Sequence, residues 1–139
     1  MASFTKFEAF SEHLAEGVHD LNGDTLKVYL SNTAPDVASD AVKADLAEIS
    51  AGNGYTSGGA DVQNATSRSG GTTSVTGTDV TFTASGGTVG PFRYAVLYND
   101  TPSSPADPLI GYWDYGSAIT LQDGESFVVD FGDALLTIA

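Results

Sequence analysis

The two histidines, His13 and His19, are the side chains best suited to hold a metal or move a proton near neutral pH in this 139-residue chain. They stand six positions apart, and on one continuous helix their rings would project in well-separated directions, so joint chelation is not expected. There is no cysteine, and therefore no thiolate zinc site stands out. Asp20, Asn22 and Asp24 match the first ligand spacings of a calcium loop. Thr25, however, occupies the place of that loop's glycine, and no suitably placed glutamate follows. Asp, Asn and Gly are equally the residues of a plain turn, which is the expectation here. The glycines at 52, 54, 58 and 59 have the composition of a phosphate loop, but no lysine follows and neither nucleotide fingerprint is met. Gly-x-Ser-x-Gly does not occur. Asp114, flanked by Trp113 and Tyr115, has the best setting for glycoside chemistry, which needs a second, converging carboxylate. A Trp-Asp-Tyr run on a strand is expected instead to be core with one exposed acid. No catalytic residue, metal ligand or cofactor-binding residue is predicted, and no enzymatic activity is expected.

Five cations, Lys6, Lys27, Lys43, Arg68 and Arg93, face 18 acidic residues, for a formal net charge of -13. Scattered cations cannot form the patch that displaces counterions from phosphates, so nucleic acid is excluded as a partner, and anionic membrane surfaces likewise. The acidity is read as a solvated surface. The first ten residues carry Lys6 and Glu8 without an apolar run, and no later stretch is long enough to span a bilayer. A soluble protein is therefore expected, folding in a reducing cytoplasm without disulfides. The length suits a single domain over residues 1–139.

Periodicity supplies the elements. Phe4, Phe7, Phe10, Leu14 and Val18 recur at three- and four-residue spacings, which predicts an amphipathic helix over about residues 4–17, with Thr5 and Glu8 as a capping box. From Thr25 the period becomes two: Leu26, Val28 and Leu30 alternate with Lys27, Tyr29 and Ser31, as in a half-buried strand. Val42, Leu46 and Ile49 suggest a short second helix. Residues 60–78, rich in Thr, Ser and Gly, read as peripheral strands or loop. Val80, Phe82 and Ala84 alternate, and residues 92–98 form a nearly continuous apolar run that predicts a central strand. Three of the five prolines fall in residues 99–108, which makes that stretch a surface connection. Further strands are expected at 109–115 and 135–138, with a hairpin joining Ile119 and Leu121 to Phe127, Val129 and Phe131 across Asp123-Gly124. The fold class is mainly β: a β-sandwich or jelly-roll-like barrel with an N-terminal amphipathic helix and a possible second short helix.

Three stretches together carry a resemblance. They are Asp24-Thr25-Leu26-Lys27-Val28-Tyr29-Leu30-Ser31-Asn32-Thr33-Ala34-Pro35, Glu48-Ile49-Ser50-Ala51-Gly52-Asn53-Gly54-Tyr55, and Gly90-Pro91-Phe92-Arg93-Tyr94-Ala95-Val96-Leu97-Tyr98-Asn99-Asp100. With Asp107 to Gly116 they resemble small structural proteins of tailed bacteriophages, over most of the chain outside residues 60–78. The resemblance implies a virion component made in the host bacterial cytoplasm, with no established catalytic motif to carry over. Among virion positions, a head decoration or cement protein on the outer capsid surface is expected, because an acidic protein inside would face packed phosphate. Its partners would be the major capsid protein and further copies of itself as a homo-oligomer. Phe4, Phe7 and Phe10 are the expected contact anchors, with Arg93 and Trp113 in second rank. A tail or fibre component is the alternative within this class. A carbohydrate-binding module stacking sugars on Tyr112, Trp113 and Tyr115 is the more remote one.

Overall fold

The computed structural model describes residues 3–139; Met1 and Ala2 of the expected domain lie outside the described residues. The chain begins with a short strand, β1 (Phe4–Lys6), and turns directly into the helix α1 (Glu8–Ala15). The long strand β2 (Leu26–Ser31) follows. A single 3-10 turn at Lys43–Asp45 and the two-residue strand β3 (Ala60–Asp61) come next. β4 (Ala65–Ser69) and β5 (Thr72–Thr76) form a hairpin, and β6 (Val80–Thr83) leads to the two longest strands, β7 (Val89–Asn99) and β8 (Leu109–Leu121). β9 (Ser126–Val129) and β10 (Leu136–Ile138) complete the chain.

These strands make three antiparallel sheets: β1-β8-β7-β2-β3, β10-β5-β4 and β6-β9. In the large sheet Tyr29 stands opposite Val96, which stands opposite Tyr112. Its two faces are both buried. Leu26, Val28, Leu30, Ala95, Leu97, Ile110 and Trp113 point into the main core, where Val75, Phe82 and Val129 of the two smaller sheets and Leu135, just before β10, meet Phe10 of α1. Tyr29, Tyr94, Val96, Tyr98 and Leu109 point the other way and pack with Phe7, Leu46 and Val37. Burial on both faces is why residues 92–98 lack clean alternation, and it extends to β2, where Tyr29 is as inaccessible as Val28. Each such side chain contributes roughly 1.5–3 kcal/mol of burial free energy. The protein is a mainly β, layered single domain whose sheets do not close into a barrel.

Four expectations are corrected. The helix does not cover residues 4–17, because Phe4 is paired across β1 with Trp113 and Phe7 is still extended, at φ -74° and ψ 144°. Extended backbone sends Phe7 to the opposite face of the sheet from Phe4, so two aromatics at helical spacing serve two separate cores. Thr5, opposite Tyr112 in the strand, closes no capping box. Residues 42–49 hold only the 3-10 turn: Leu46 enters the second core, and the Ile49 amide donates to the Leu30 carbonyl (3.0 Å), tying the segment along β2. The Asp123-Gly124 turn joins β8 to β9, but β9 pairs with β6, Phe82 opposite Phe127, so the turn passes between sheets rather than closing a hairpin. Finally, the 60–78 stretch is exposed along β4 as expected, yet Val62 and Val75 are fully buried and root it in the core.

Candidate functional site

β1 is the outermost strand at one end of the large sheet, and β10 is outermost in its own sheet. Between them, roofed by α1, lies an open groove of about 570 Å³. Phe4, Phe10, Leu14, Leu136 and Ile138 make it apolar. Lys6 and Ser11 supply its polar rim, the Lys6 ammonium donating to Ser11 Oγ at 2.6 Å.

The groove's wall is positioned from below. Gly111 stands opposite Lys6 on β8, and a Cβ there would overlap the Phe4 ring, so the absent side chain is what lets Phe4 lie down. Phe4 then rests on Trp113 (centroids 5.1 Å apart), and Trp113 on Phe131 (5.3 Å). Phe10 is fixed by an edge contact with His19 (5.1 Å). The two histidines, expected to diverge, lie with ring centroids 6.2 Å apart, because α1 stops at Ala15 and Gly17, at φ 76°, turns the chain back. Asn99 Nδ2 donates to Asp24 Oδ2 (2.7 Å) and faces His19 Nδ1 at 3.0 Å, which makes that nitrogen an acceptor and puts the proton on Nε2. His19 Nε2 and His13 Nδ1 are buried without a hydrogen-bond partner among the described residues. Burial and the neighbouring His13 push the His19 pKa down to about 4, against an opposing pull from Asp24. His19 is accordingly a neutral core residue at pH 7. No group of three or more metal-ligating side chains occurs among the described residues.

The other residues considered for chemistry are occupied locally. Asp20 Oδ1 accepts from the Asn22 and Gly23 amides (3.1 and 2.9 Å), and Asp24 Oδ2 from the Asp20 amide (2.9 Å), so the calcium-like spacing is a closed turn. Asp114 accepts two bonds from Arg93 (2.8 and 3.1 Å) and one from the Gly116 amide (2.8 Å). The Arg93 guanidinium holds its carboxyl below the usual range, which suits an ionised pair and not a general acid. Glu48 anchors the glycine-rich loop, accepting from Lys43 (2.8 Å), the Tyr55 hydroxyl (2.6 Å) and the Gly58 amide (2.7 Å). Burial alone would raise the Glu48 pKa, and these donors hold it down. The same loop needs glycine at 59, where φ is 79° and a Cβ would overlap the Val28 carbonyl.

Of the five expected contact residues, the fold brings Phe4 and Phe10 to the groove, with Trp113 packed beneath Phe4, and separates Phe7 and Arg93 from them. Phe4 is the half-buried member that lines the opening. Phe7, Phe10 and Trp113 are 0%, 4% and 5% exposed, so their bulk is spent on the protein's own cores and they are not free surface anchors. Arg93 stays on the surface beside Tyr94, in its pair with Asp114. Buried between Phe4 and Phe131, Trp113 offers no face to a sugar, and Tyr115 packs edge-on to Phe127 (4.8 Å). The residues that sequence reasoning left out of the site are Leu14, Leu136 and Ile138. No local pattern marked them, because the helix and the strand that carry them meet only in the folded chain.

Comparison with known protein families, with curated proteins and with solved structures finds no match to this chain.

Proposed function

We propose that this chain is a structural component of a tailed-phage virion, a head decoration protein that binds the outer surface of the major capsid lattice and stabilises it. The observation that carries this reading is the open apolar groove between β1, α1 and β10, a surface shaped to hold a neighbour. Two further features support it. The stretches that carry the phage resemblance are neighbours in space: β2 pairs with β7, and Tyr55 accepts a bond from the Leu30 amide (3.1 Å) while donating to Glu48. They are the frame of the domain, and shared frame residues are what a family of scaffolding domains would keep. The net charge of -13 suits a position facing solvent and capsid, away from packed nucleic acid. No helix among the described residues is long and apolar enough to cross a membrane.

The mechanism is adhesive. Each copy bridges neighbouring capsid subunits, and repetition over the lattice multiplies a modest contact free energy into mechanical strength without any bond made or broken. Removal of the gene tests this. Particles lacking the protein should rupture at a lower temperature than complete ones, measured by release of nuclease-accessible DNA on heating, and the purified protein added back should restore the difference. Equal rupture temperatures with and without the protein would remove the stabilising role.

A further inference from the structure

We propose that the groove is a strand-acceptor site: it receives an extended segment of a partner protein that carries large aliphatic side chains at alternating positions and Lys or Arg at its flanks. This deepens the assembly reading and rests on it only for the partner's identity.

The backbone of β1 gives the occupant its conformation. The Phe7 amide donates to the Ile110 carbonyl (3.1 Å) in the register that sets Phe4 opposite Trp113 and Lys6 opposite Gly111. In an antiparallel ladder, N–H and C=O groups of one residue share a side and alternate along the strand. Thr5 and Phe7 therefore face β8, whereas Phe4 and Lys6 turn their amides and carbonyls to the open edge. Past Lys6 the edge is closed, the Glu8 amide donating to the Val37 carbonyl (3.0 Å). The unpaired stretch thus coincides with the part of β1 that walls the groove, and an added strand would satisfy it.

Side chains and charge specify the rest. Phe4, Leu14 and Leu136 are half-buried and Ile138 is 37% exposed, so an apolar occupant finishes their burial. The volume of about 570 Å³ falls within the ~300–1,000 Å³ of established ligand pockets, enough for a few aliphatic side chains and not for a helix. Glu8, Glu12 and Glu16 are exposed on and just past the helix above, outside the groove's lining, and Lys6 within it is already bound to Ser11. These neighbouring carboxylates, on a chain of net charge -13, favour cationic flanks beyond the groove and disfavour a second copy of the same chain.

The test uses the full chain, labelled with nitrogen-15, and the peptide acetyl-Lys-Val-Lys-Leu-Lys-Val-Lys-amide, with a control in which every Lys is Glu. Titration of the cationic peptide should shift the amides of residues 4–6, 10–15 and 136–138, and the acidic control should not. Leu14→Glu, and Ala15→Arg at an exposed position where folding is not at stake, should each weaken binding at least about tenfold, the size of effect expected at a contact hot spot. Val128→Lys, outside the groove, should leave it unchanged. Shifts centred elsewhere, equal binding of both peptides, or no shifts at all would overturn the proposal. So would sedimentation showing a dimer that Ala15→Arg dissolves, which would make the occupant a second copy. Failure here with a positive rupture assay would refute the strand site and leave the virion role standing.

Discussion

His19 illustrates how one side chain can tie a helix to a sheet. It is buried against Phe10, accepts from Asn99, and is depressed to a pKa of about 4 by burial and His13. In the unfolded chain its pKa is 6.5, so the unfolded state takes up the proton first as pH falls. The stabilisation from keeping His19 neutral is complete above about pH 6.5, declines through the interval, and is gone below about pH 4. A shift of this size amounts to roughly 3 kcal/mol. His19→Gln preserves an acceptor for Asn99 and does not titrate. Urea unfolding measured from pH 7.5 to 4 should show a shallower loss of stability for this variant than for the parent chain, and parallel curves would assign the pH response to other groups.

At the scale of elements, β1 depends on one strand neighbour. Among the described residues it pairs with β8, and its Phe4 lies where Gly111 leaves room. Gly111→Val places carbon against the Phe4 ring and the Thr5 carbonyl, and overpacking of this kind costs typically ~1–3 kcal/mol. The expected result is local: fast hydrogen exchange at residues 4–7 while β2 and β7 stay protected, and unchanged protection of β1 would mean that Phe4 is not held as described. The same strand explains where sequence reading succeeded and failed. Strands β2, β6, β7, β8 and β10 were legible because alternation or long apolar runs belong to strands whatever lies around them. The N-terminal segment was not, because spacing at 4, 7 and 10 is helical only if the backbone is helical throughout. Tertiary pairing of Phe4 with Trp113 competes with helix propensity over the first turn and wins. The 123–124 turn misled for a similar reason, since a turn signal says the chain reverses without saying which strand it will meet. The groove was invisible because its walls come from residues 4–15 and 136–138, and no local pattern reveals that the two meet.

Taken whole, the molecule is a large sheet buried on both faces, with its β1 margin walling the groove. Its charge is spread as a solvated acidic surface, its histidine pair and aspartate turns are absorbed into packing, and Arg93 and Asp114 are consumed by each other. At the groove the fold brings half-buried apolar side chains and an outer strand together, the raw material of an assembly contact. The central proposal, that this chain coats a phage head, is tested most directly by cryo-electron microscopy of purified particles of a tailed phage that carries its gene. The account predicts density for this domain repeating on the outer icosahedral surface, with the margin of β1, α1 and β10 turned toward the capsid protein. Density confined to the tail would contradict the decoration role, and particles without the protein would contradict the virion assignment altogether.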